Sequence, residues 1–154
     1  MSKRQQPEHA LQMAVCDFLN VALPEDAIYL HIPNGGDFPV SYKRKLAKMG
    51  LKAGAPDLVV FWTTVEWPDS HWEYFDRIII WFELKAPGKA QRPSAVSDNQ
   101  RGMHACLKRL GHNVYVVDTA KDVEIALREC GIPLRATLTG KRRHGRDSTE
   151  ATAG

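Results

Sequence analysis

Apolar residues recur along this chain with two periods, one typical of helices and the other of strands. Pro7 suits the first turn of a helix that the pattern extends to about Asn20. Its apolar stripe has the spacing of one helical face and consists of Leu11, Ala14, Val15, Phe18 and Leu19. Two runs rich in β-branched and aromatic residues, LVVFW at 58–62 and RIIIWFELK at 77–85, predict strands. Shorter apolar runs at 27–32 and 113–118 predict two more.

Three further helices complete the pattern. Residues 39–49 predict a basic helix that ends at Gly50, and residues 120–130 predict the last helix. Between them, Ser97 has the character of an N-cap for a helix that ends at Gly111. The apolar stripe predicted for that helix is Met103, Cys106, Leu107 and Leu110. The order α-β-α-β-β-α-β-α indicates an α/β domain with a small mixed sheet flanked by helices, and the apolar strands indicate cover on both faces.

Composition adds limits to this picture. The 154 residues are 44% hydrophobic and 25% charged, values typical of a soluble single-domain protein. No apolar run approaches the roughly 20 residues of a membrane span, and the N-terminus lacks the apolar core of a secretion signal. Cys16, Cys106 and Cys130 have no metal-ligand spacing, so we expect reduced core thiols and an intracellular location. Residues 135–154 form a basic tail that we expect to be disordered from about Thr137.

Three ionisable residues lie in or beside the two strongest predicted strands. Glu83 and Lys85 are two residues apart and therefore project to the same side, and Asp57 comes directly before the other strand. Two carboxylates brought together on neighbouring strands repel each other unless a cation lies between them, and hard oxygen ligands suit Mg²⁺ or Mn²⁺. A lysine beside them could position a water or stabilise a phosphate. The alternative is an ion pair between Glu83 and Lys85, with Asp57 capping a turn. The apolar flanks favour the metal site.

These residues also carry a family resemblance. PD at 56–57 followed by ELK at 83–85 is similar to the PD-(D/E)xK nuclease signature. The longer pattern KAGAPDLVVF, WFELKAPG, SDNQ and LGHNVYVVDT resembles the stand-alone form of the VRR-NUC branch over about residues 7–130. The resemblance implies a restriction-endonuclease-like core within residues 1–134 and an endodeoxyribonuclease that depends on Mg²⁺ or Mn²⁺. It further implies a homodimer that acts on branched DNA, particularly four-way junctions, in a bacterium or a phage-infected host.

The resemblance also implies a set of site residues. Glu8, Asp57, Glu83 and the Leu84 carbonyl would hold the metal, and Lys85 and Gln100 would complete the catalytic site. Helical spacing is consistent with Glu8 lying on the inward stripe, although an acid at a helix N-terminus is also favoured by the helix dipole. Gln100 is in line with Met103 and Leu107 and so faces the sheet, but Ser97-Asp98-Asn99-Gln100 also fits a capping box. His31, His104 and His112 have no partner spacing, and no catalytic role is predicted for them.

Two basic groups lie close in sequence to the predicted site. The first contains five cations and no acid between residues 38 and 56, and the second follows the Glu83 strand. Their members are Lys43, Arg44, Lys45, Lys48 and Lys52, then Lys89 and Arg92. Such clusters supply phosphate binding that does not depend on nucleotide sequence. The alternative is a solvated helix face, which the absence of interleaved acids disfavours.

Two questions stay open at this stage. The aromatic segment within residues 63–77, with Trp67, Trp72, Tyr74 and Phe75, could form a small core of its own, contact a second subunit or stack on bases. The rivals to a junction nuclease are a restriction-type or flap or duplex nuclease and a non-catalytic DNA-binding protein on the same scaffold. A nucleotide-binding protein is not indicated, because neither a G-x-G-x-x-G nor a P-loop sequence is present.

Overall fold

The helices and strands follow the predicted order. The computed structural model describes residues 7–33, 39–64 and 76–138. Its elements are α1 (Pro7–Ala22), β1 (Ile28–His31), α2 (Val40–Lys48), β2 (Leu58–Thr64), β3 (Asp76–Leu84), α3 (Asp98–Arg109), β4 (Asn113–Val117) and α4 (Ala120–Glu129). All the predicted elements are present and their ends lie within about two residues of the prediction. Most of the aromatic segment, at 65–75, and the tail from 139 onward lie outside the described residues.

The strands form one mixed sheet in the order β1-β2-β3-β4. The pairs β1–β2 and β2–β3 are antiparallel, and β3–β4 is parallel because α3 provides the crossover between them. The small mixed sheet flanked by helices is therefore confirmed. Within the described ranges, none of the helices has the length and hydrophobicity that crossing a membrane requires.

One face of the sheet carries the main hydrophobic core. Alternate residues of β2 and β3, among them Val60, Ile80 and Phe82, are fully buried there. Helices α1 and α4 contribute the other half of this core. The residues of α1 that are buried are Leu11, Val15, Phe18, Leu19 and Ala22, whereas Ala14 from the predicted stripe is exposed.

Helix α3 lies on the opposite face of the sheet, and its buried side differs from the prediction. Cys106 is exposed, as is Leu110, because the helix turns Gln100, His104 and Leu107 inward instead. These three positions follow the i, i+4, i+7 spacing of one helical face. The predicted stripe is thus wrong at two of its four positions, and the expectation of a core thiol is wrong for Cys106.

The chain after α4 is bound to the domain up to the end of the described residues. The backbone amide of Arg135 donates to the carbonyl of Ala22 at 2.7 Å, and Leu134 is buried. The amide of Leu138 donates to the Glu124 carboxylate at 3.2 Å. The folded part of the chain therefore extends beyond residue 134, across the ends of α1 and α4.

Glu124 is the buried acid that holds this segment. Only 2% of the residue is exposed, and Lys121 and Arg128 on the same helix both form ion pairs with it. Burial alone would raise the pKa of this carboxyl, but the hydrogen bonds from Lys121, the Leu138 amide and Arg128 outweigh it and lower the pKa below 4.5. The stabilisation by Glu124 is therefore present above about pH 4.5 and is lost as the pH falls through the lowered value.

Replacing Glu124 by glutamine is expected to reduce the free energy of unfolding at pH 7 by about 2 kcal/mol, because hydrogen bonds to a charged group are lost. The loss should shrink as the pH falls below about 4, where wild type also loses this contribution. Urea unfolding at pH 7 and at low pH measures both values. Glu129→Gln, an exposed acid on the same helix, is the matched control. Equal losses in both variants would contradict the role assigned to Glu124.

Candidate functional site

The two strand carboxylates lie at the same end of the sheet and on the same face. Leu58 pairs with Phe82 across β2 and β3, and the next residues outward along this register are Asp57 and Glu83. Residues that face each other across an antiparallel pair project to the same side. The Oδ2 atom of Asp57 accepts a hydrogen bond from the Leu84 amide at 2.7 Å, which fixes Asp57 against β3. The structure thus brings together the two acids that the sequence places 26 residues apart.

The carboxylate of Glu83 is held on one of its two oxygens. Its Oε1 atom lies 2.8 Å from Lys85 Nζ and accepts a hydrogen bond from Gln100 Nε2 at 2.5 Å. The other oxygen, Oε2, is buried and has no hydrogen-bond partner among the described residues. Glu83 and Lys85 do form the ion pair that was the alternative prediction, but that pair uses only one side of a carboxylate that is 2% exposed.

Gln100 performs two functions at once. Its backbone amide donates to Ser97 Oγ at 3.3 Å and its Oε1 accepts from the Ser97 amide at 2.9 Å, which completes the capping box of α3. The same Oε1 accepts from Lys85 Nζ at 3.3 Å, and Nε2 donates to Glu83. The cap and the site role are therefore not alternatives, because the cap is what aims the amide at the carboxylate.

The electrostatics of the site are those of crowded acids. The pKa of Asp57 is raised from 3.8 to about 6, first by burial and then by the negative charge of Glu83. The Leu84 amide and the Lys85 ammonium group lower this pKa but do not offset the increase. Glu8 also raises it, so the first turn of α1 lies within electrostatic range of Asp57. A cation placed among these groups would relieve the repulsion.

The fit of a metal to these residues is partial. Glu83 Oε2 is a buried oxygen with no hydrogen-bond donor in the described part of the chain, and such an oxygen is free to bind a cation. Glu8 is exposed, and the contact shown between Leu84 and Asp57 uses the Leu84 amide rather than its carbonyl. Among the described residues, no set of three or more His, Cys, Asp and Glu side chains comes close enough together to hold an ion. Further ligands would therefore have to be water, backbone or phosphate oxygens, as Mg²⁺ commonly uses.

Gly54 connects the turn before Asp57 to the first turn of α3. Its φ is +81°, and a Cβ atom there would lie 2.4 Å from the Asn99 carbonyl oxygen and 2.7 Å from the Gln100 amide nitrogen. Only glycine permits both this conformation and this approach. The KAGAPD and SDNQ stretches, which are far apart in sequence, are therefore in contact, and the contact includes the residue that binds Glu83.

His104 is a residue of the site for which the sequence predicted no role. It lies one turn after Gln100 on the inward side of α3, is 8% exposed, and places Nε2 3.6 Å from Glu83 Oε2. Within the described ranges, that Nε2 atom also has no hydrogen-bond partner. The sequence does contain one indication of this position, because His104 is four residues after Gln100 and so lies on the same helical face. The predicted apolar stripe through Cys106 assigned a different face of the helix to the sheet.

The predicted DNA-contact residues are on the surface. Helix α2 buries none of its residues, and all seven basic side chains are exposed. None of the seven forms an ion pair with another described residue. The loop that carries Lys89 and Arg92 is fixed to the end of β4 by the Ala90 amide, which donates to Asp118 Oδ2 at 3.0 Å. Both segments therefore present exposed cations that an anionic partner could contact.

Comparisons with models of known protein families, with curated proteins and with solved structures found no match for this chain. What is established is the class of fold, a mixed four-stranded sheet between helices, with a cluster of two acids and a lysine at one end of its central strands.

Proposed function

We propose that this protein is a metal-dependent DNA endonuclease with a restriction-endonuclease-like core, in which Asp57, Glu83 and Lys85 carry out phosphodiester hydrolysis. The observation that supports this most is the position of the two acids. They project from neighbouring strands to one side, close enough for Glu83 to raise the pKa of Asp57, and Lys85 Nζ lies 2.8 Å from Glu83. Paired acids with a lysine can bind a divalent cation and act on a phosphate.

In this proposal each residue has a distinct task. Asp57 and Glu83, with the Leu84 carbonyl and Glu8, would hold Mg²⁺ or Mn²⁺. When bound, the ion supplies Lewis acidity and a more acidic water. Asp57 is ionised, and so ready to bind a cation, above about pH 6.

The groups around Glu83 hold it and supply positive charge. Gln100 and Lys85 engage Glu83 Oε1 and leave Oε2 directed away from them. Lys85 also keeps a positive charge beside the acids, where it can position a water or stabilise charge on a phosphate.

The DNA partner is proposed from charge and from the family resemblance. The exposed cations of α2 and its following turn, together with Lys89 and Arg92, would bind phosphates without sequence preference and with strong salt dependence. A preference for branched DNA such as a four-way junction, and a homodimer, rest on the resemblance alone. A two-fold dimer would present two sites to two strands.

Lys85→Ala is expected to lower the cleavage rate at least about a hundredfold, because it removes a charged group next to the acids. The measurement compares a four-way junction, a flap, a duplex and a single strand, each with Mg²⁺ and with Mn²⁺. Lys108→Ala, an exposed lysine at the end of α3, is the matched control and should cleave like wild type.

The substrate comparison also separates the rival functions. Preferential cutting of plain duplex or flap would indicate a restriction-type or flap nuclease. Metal-independent binding without cutting would indicate a non-catalytic DNA-binding protein. Equal cleavage by wild type and Lys85→Ala would refute the catalytic assignment.

A further inference from the structure

Two buried polar atoms face each other in the site without a hydrogen bond. Glu83 Oε2 and His104 Nε2 are both inaccessible to solvent, and neither has a hydrogen-bond partner among the described residues; the 3.6 Å between them allows an ion pair only if His104 is protonated. The side chains are 3% and 10% exposed. Buried polar atoms nearly always have a hydrogen-bond partner, so this contact requires an explanation, which is either an ion pair with a protonated His104 or a cation between the two atoms.

The 3.6 Å between Glu83 Oε2 and His104 Nε2 does not fit a direct hydrogen bond or a bridging water, but it fits a bridging cation. It is longer than the roughly 3.2 Å limit of an N–H···O hydrogen bond. It is also shorter than the separation of two groups bridged by water, which requires two hydrogen bonds of about 2.8 Å each. A divalent cation bound to both atoms at about 2.1 Å would span this distance with a ligand–metal–ligand angle of about 120°.

The neighbouring contacts leave these two atoms available. Lys85 and Gln100 both bind Glu83 Oε1. The positive charge of the lysine therefore lies beside Oε1 and leaves Oε2 available. Asp57 lies opposite Glu83 along the register of β2 on β3, and its Oδ2 accepts from the Leu84 amide, so a second acid is nearby. His104 can serve as a ligand in the tautomer that carries its proton on Nδ1 and leaves Nε2 with a lone pair.

We propose that His104 Nε2 and Glu83 Oε2 are two protein ligands of the divalent cation, which makes the site a mixed nitrogen and oxygen site rather than an all-oxygen one. This inference rests on the metal dependence of the proposed function. Imidazole is a ligand of transition metals, whereas Mg²⁺ prefers oxygen. The site should therefore bind Mn²⁺ and Zn²⁺ more tightly than Mg²⁺, and His104 should be the cause.

The test is metal binding in the absence of DNA. Calorimetric titration of wild type with MnCl₂ and with MgCl₂ should show tighter binding of Mn²⁺. His104→Gln should weaken Mn²⁺ binding at least about tenfold while changing Mg²⁺ binding little, because an oxygen replaces the nitrogen ligand. His112→Gln is the matched control, since His112 accepts a hydrogen bond from Trp81 Nε1 and does not contact Glu83. It should retain the wild-type preference.

A second readout uses the wild-type protein and does not depend on the folding of a variant. With ¹⁵N-labelled histidine, Zn²⁺ should shift the Nε2 resonance of His104 and leave that of His112 in place. An unchanged Mn²⁺ to Mg²⁺ ratio in His104→Gln, or a His104 resonance that saturating Zn²⁺ does not move, would overturn the inference. Binding through His104 by a protein that cuts none of the DNA substrates would support the inference and refute the nuclease function, so the two failures are distinguishable.

Discussion

Gly54→Ala is expected to destabilise the protein by about 2–5 kcal/mol. The new side chain would have to adopt a left-handed backbone conformation, which costs an L-residue about 1–2 kcal/mol. Its Cβ would also lie 2.4 Å from the backbone oxygen of Asn99, and overpacking of this kind costs roughly 1–3 kcal/mol more. Since the atoms in the way are backbone, no side-chain rotation can remove the clash. The free energy of unfolding from urea denaturation measures the effect.

The matched control for this prediction is Gly88→Ala. Gly88 has a similar φ of +74°, but a Cβ there has nothing within 4 Å. It should therefore show the backbone cost of about 1–2 kcal/mol alone, and the difference between the two variants measures the clash. Because Asn99 and Gln100 lie in the first turn of α3, Gly54→Ala should also weaken the Gln100 contact with Glu83. Equal losses of unfolding free energy in the two variants would show that the Gly54 backbone does not lie this close to Asn99.

Asp57→Asn is expected to stabilise the metal-free protein by up to about 3 kcal/mol at pH 8. The pKa of Asp57 is raised from 3.8 to about 6 in the folded protein, a difference that corresponds to roughly this free energy. When a carboxyl pKa is raised by folding, the folded protein keeps that proton up to a higher pH than the unfolded chain does. The contribution of Asp57 to stability is therefore most favourable below about pH 4, is lost as the pH rises to about 6, and stays at the lower value above it.

Asparagine avoids this cost because it carries no charge, and its side-chain oxygen can still accept from the Leu84 amide. The gain should thus be present at pH 8 and absent near pH 4, as measured by urea unfolding in a chelator. Asp26→Asn is the control, an acid at an exposed contact with Trp62 Nε1, and it should change the stability by less than about 0.5 kcal/mol. A loss of stability at pH 8 in Asp57→Asn would mean that the acids of the site are not in repulsion.

If removing Asp57 stabilises the protein, this residue is retained at a cost in stability, as is typical of functional sites. The protein retains an acid, Asp57, whose burial and proximity to Glu83 weaken the fold at neutral pH, and such groups concentrate where chemistry or binding occurs. Glu124 provides the contrast within the same chain. It is more deeply buried than Asp57, but its hydrogen bonds from Lys121, Arg128 and Leu138 lower its pKa, so its removal should destabilise. The charges and donors around the two acids, rather than the degree of burial, therefore decide the sign of the effect.

The sequence by itself determined the elements and their order, because hydrophobic periodicity, caps and glycine stops act over a few residues. It also identified Asp57, Glu83 and Lys85 as unusual, since charges within apolar strands require partners wherever the strands lie. The two-residue spacing of Glu83 and Lys85 placed them on one side without knowledge of the fold. Ser97 and Gln100 were likewise readable as a cap, which the structure confirms.

Only the tertiary structure decided which of these residues meet. The register of β2 on β3 places Asp57 opposite Glu83, and a shift of one residue would have moved one acid to the other face. The rotation of α3 about its axis is set by packing on the sheet rather than by local pattern, which is why Cys106 points outward and His104 points toward Glu83. The contact of Gly54 with Asn99 joins segments 45 residues apart. Long-range packing of this kind has no counterpart in any short window of sequence, and it is what assembled the site.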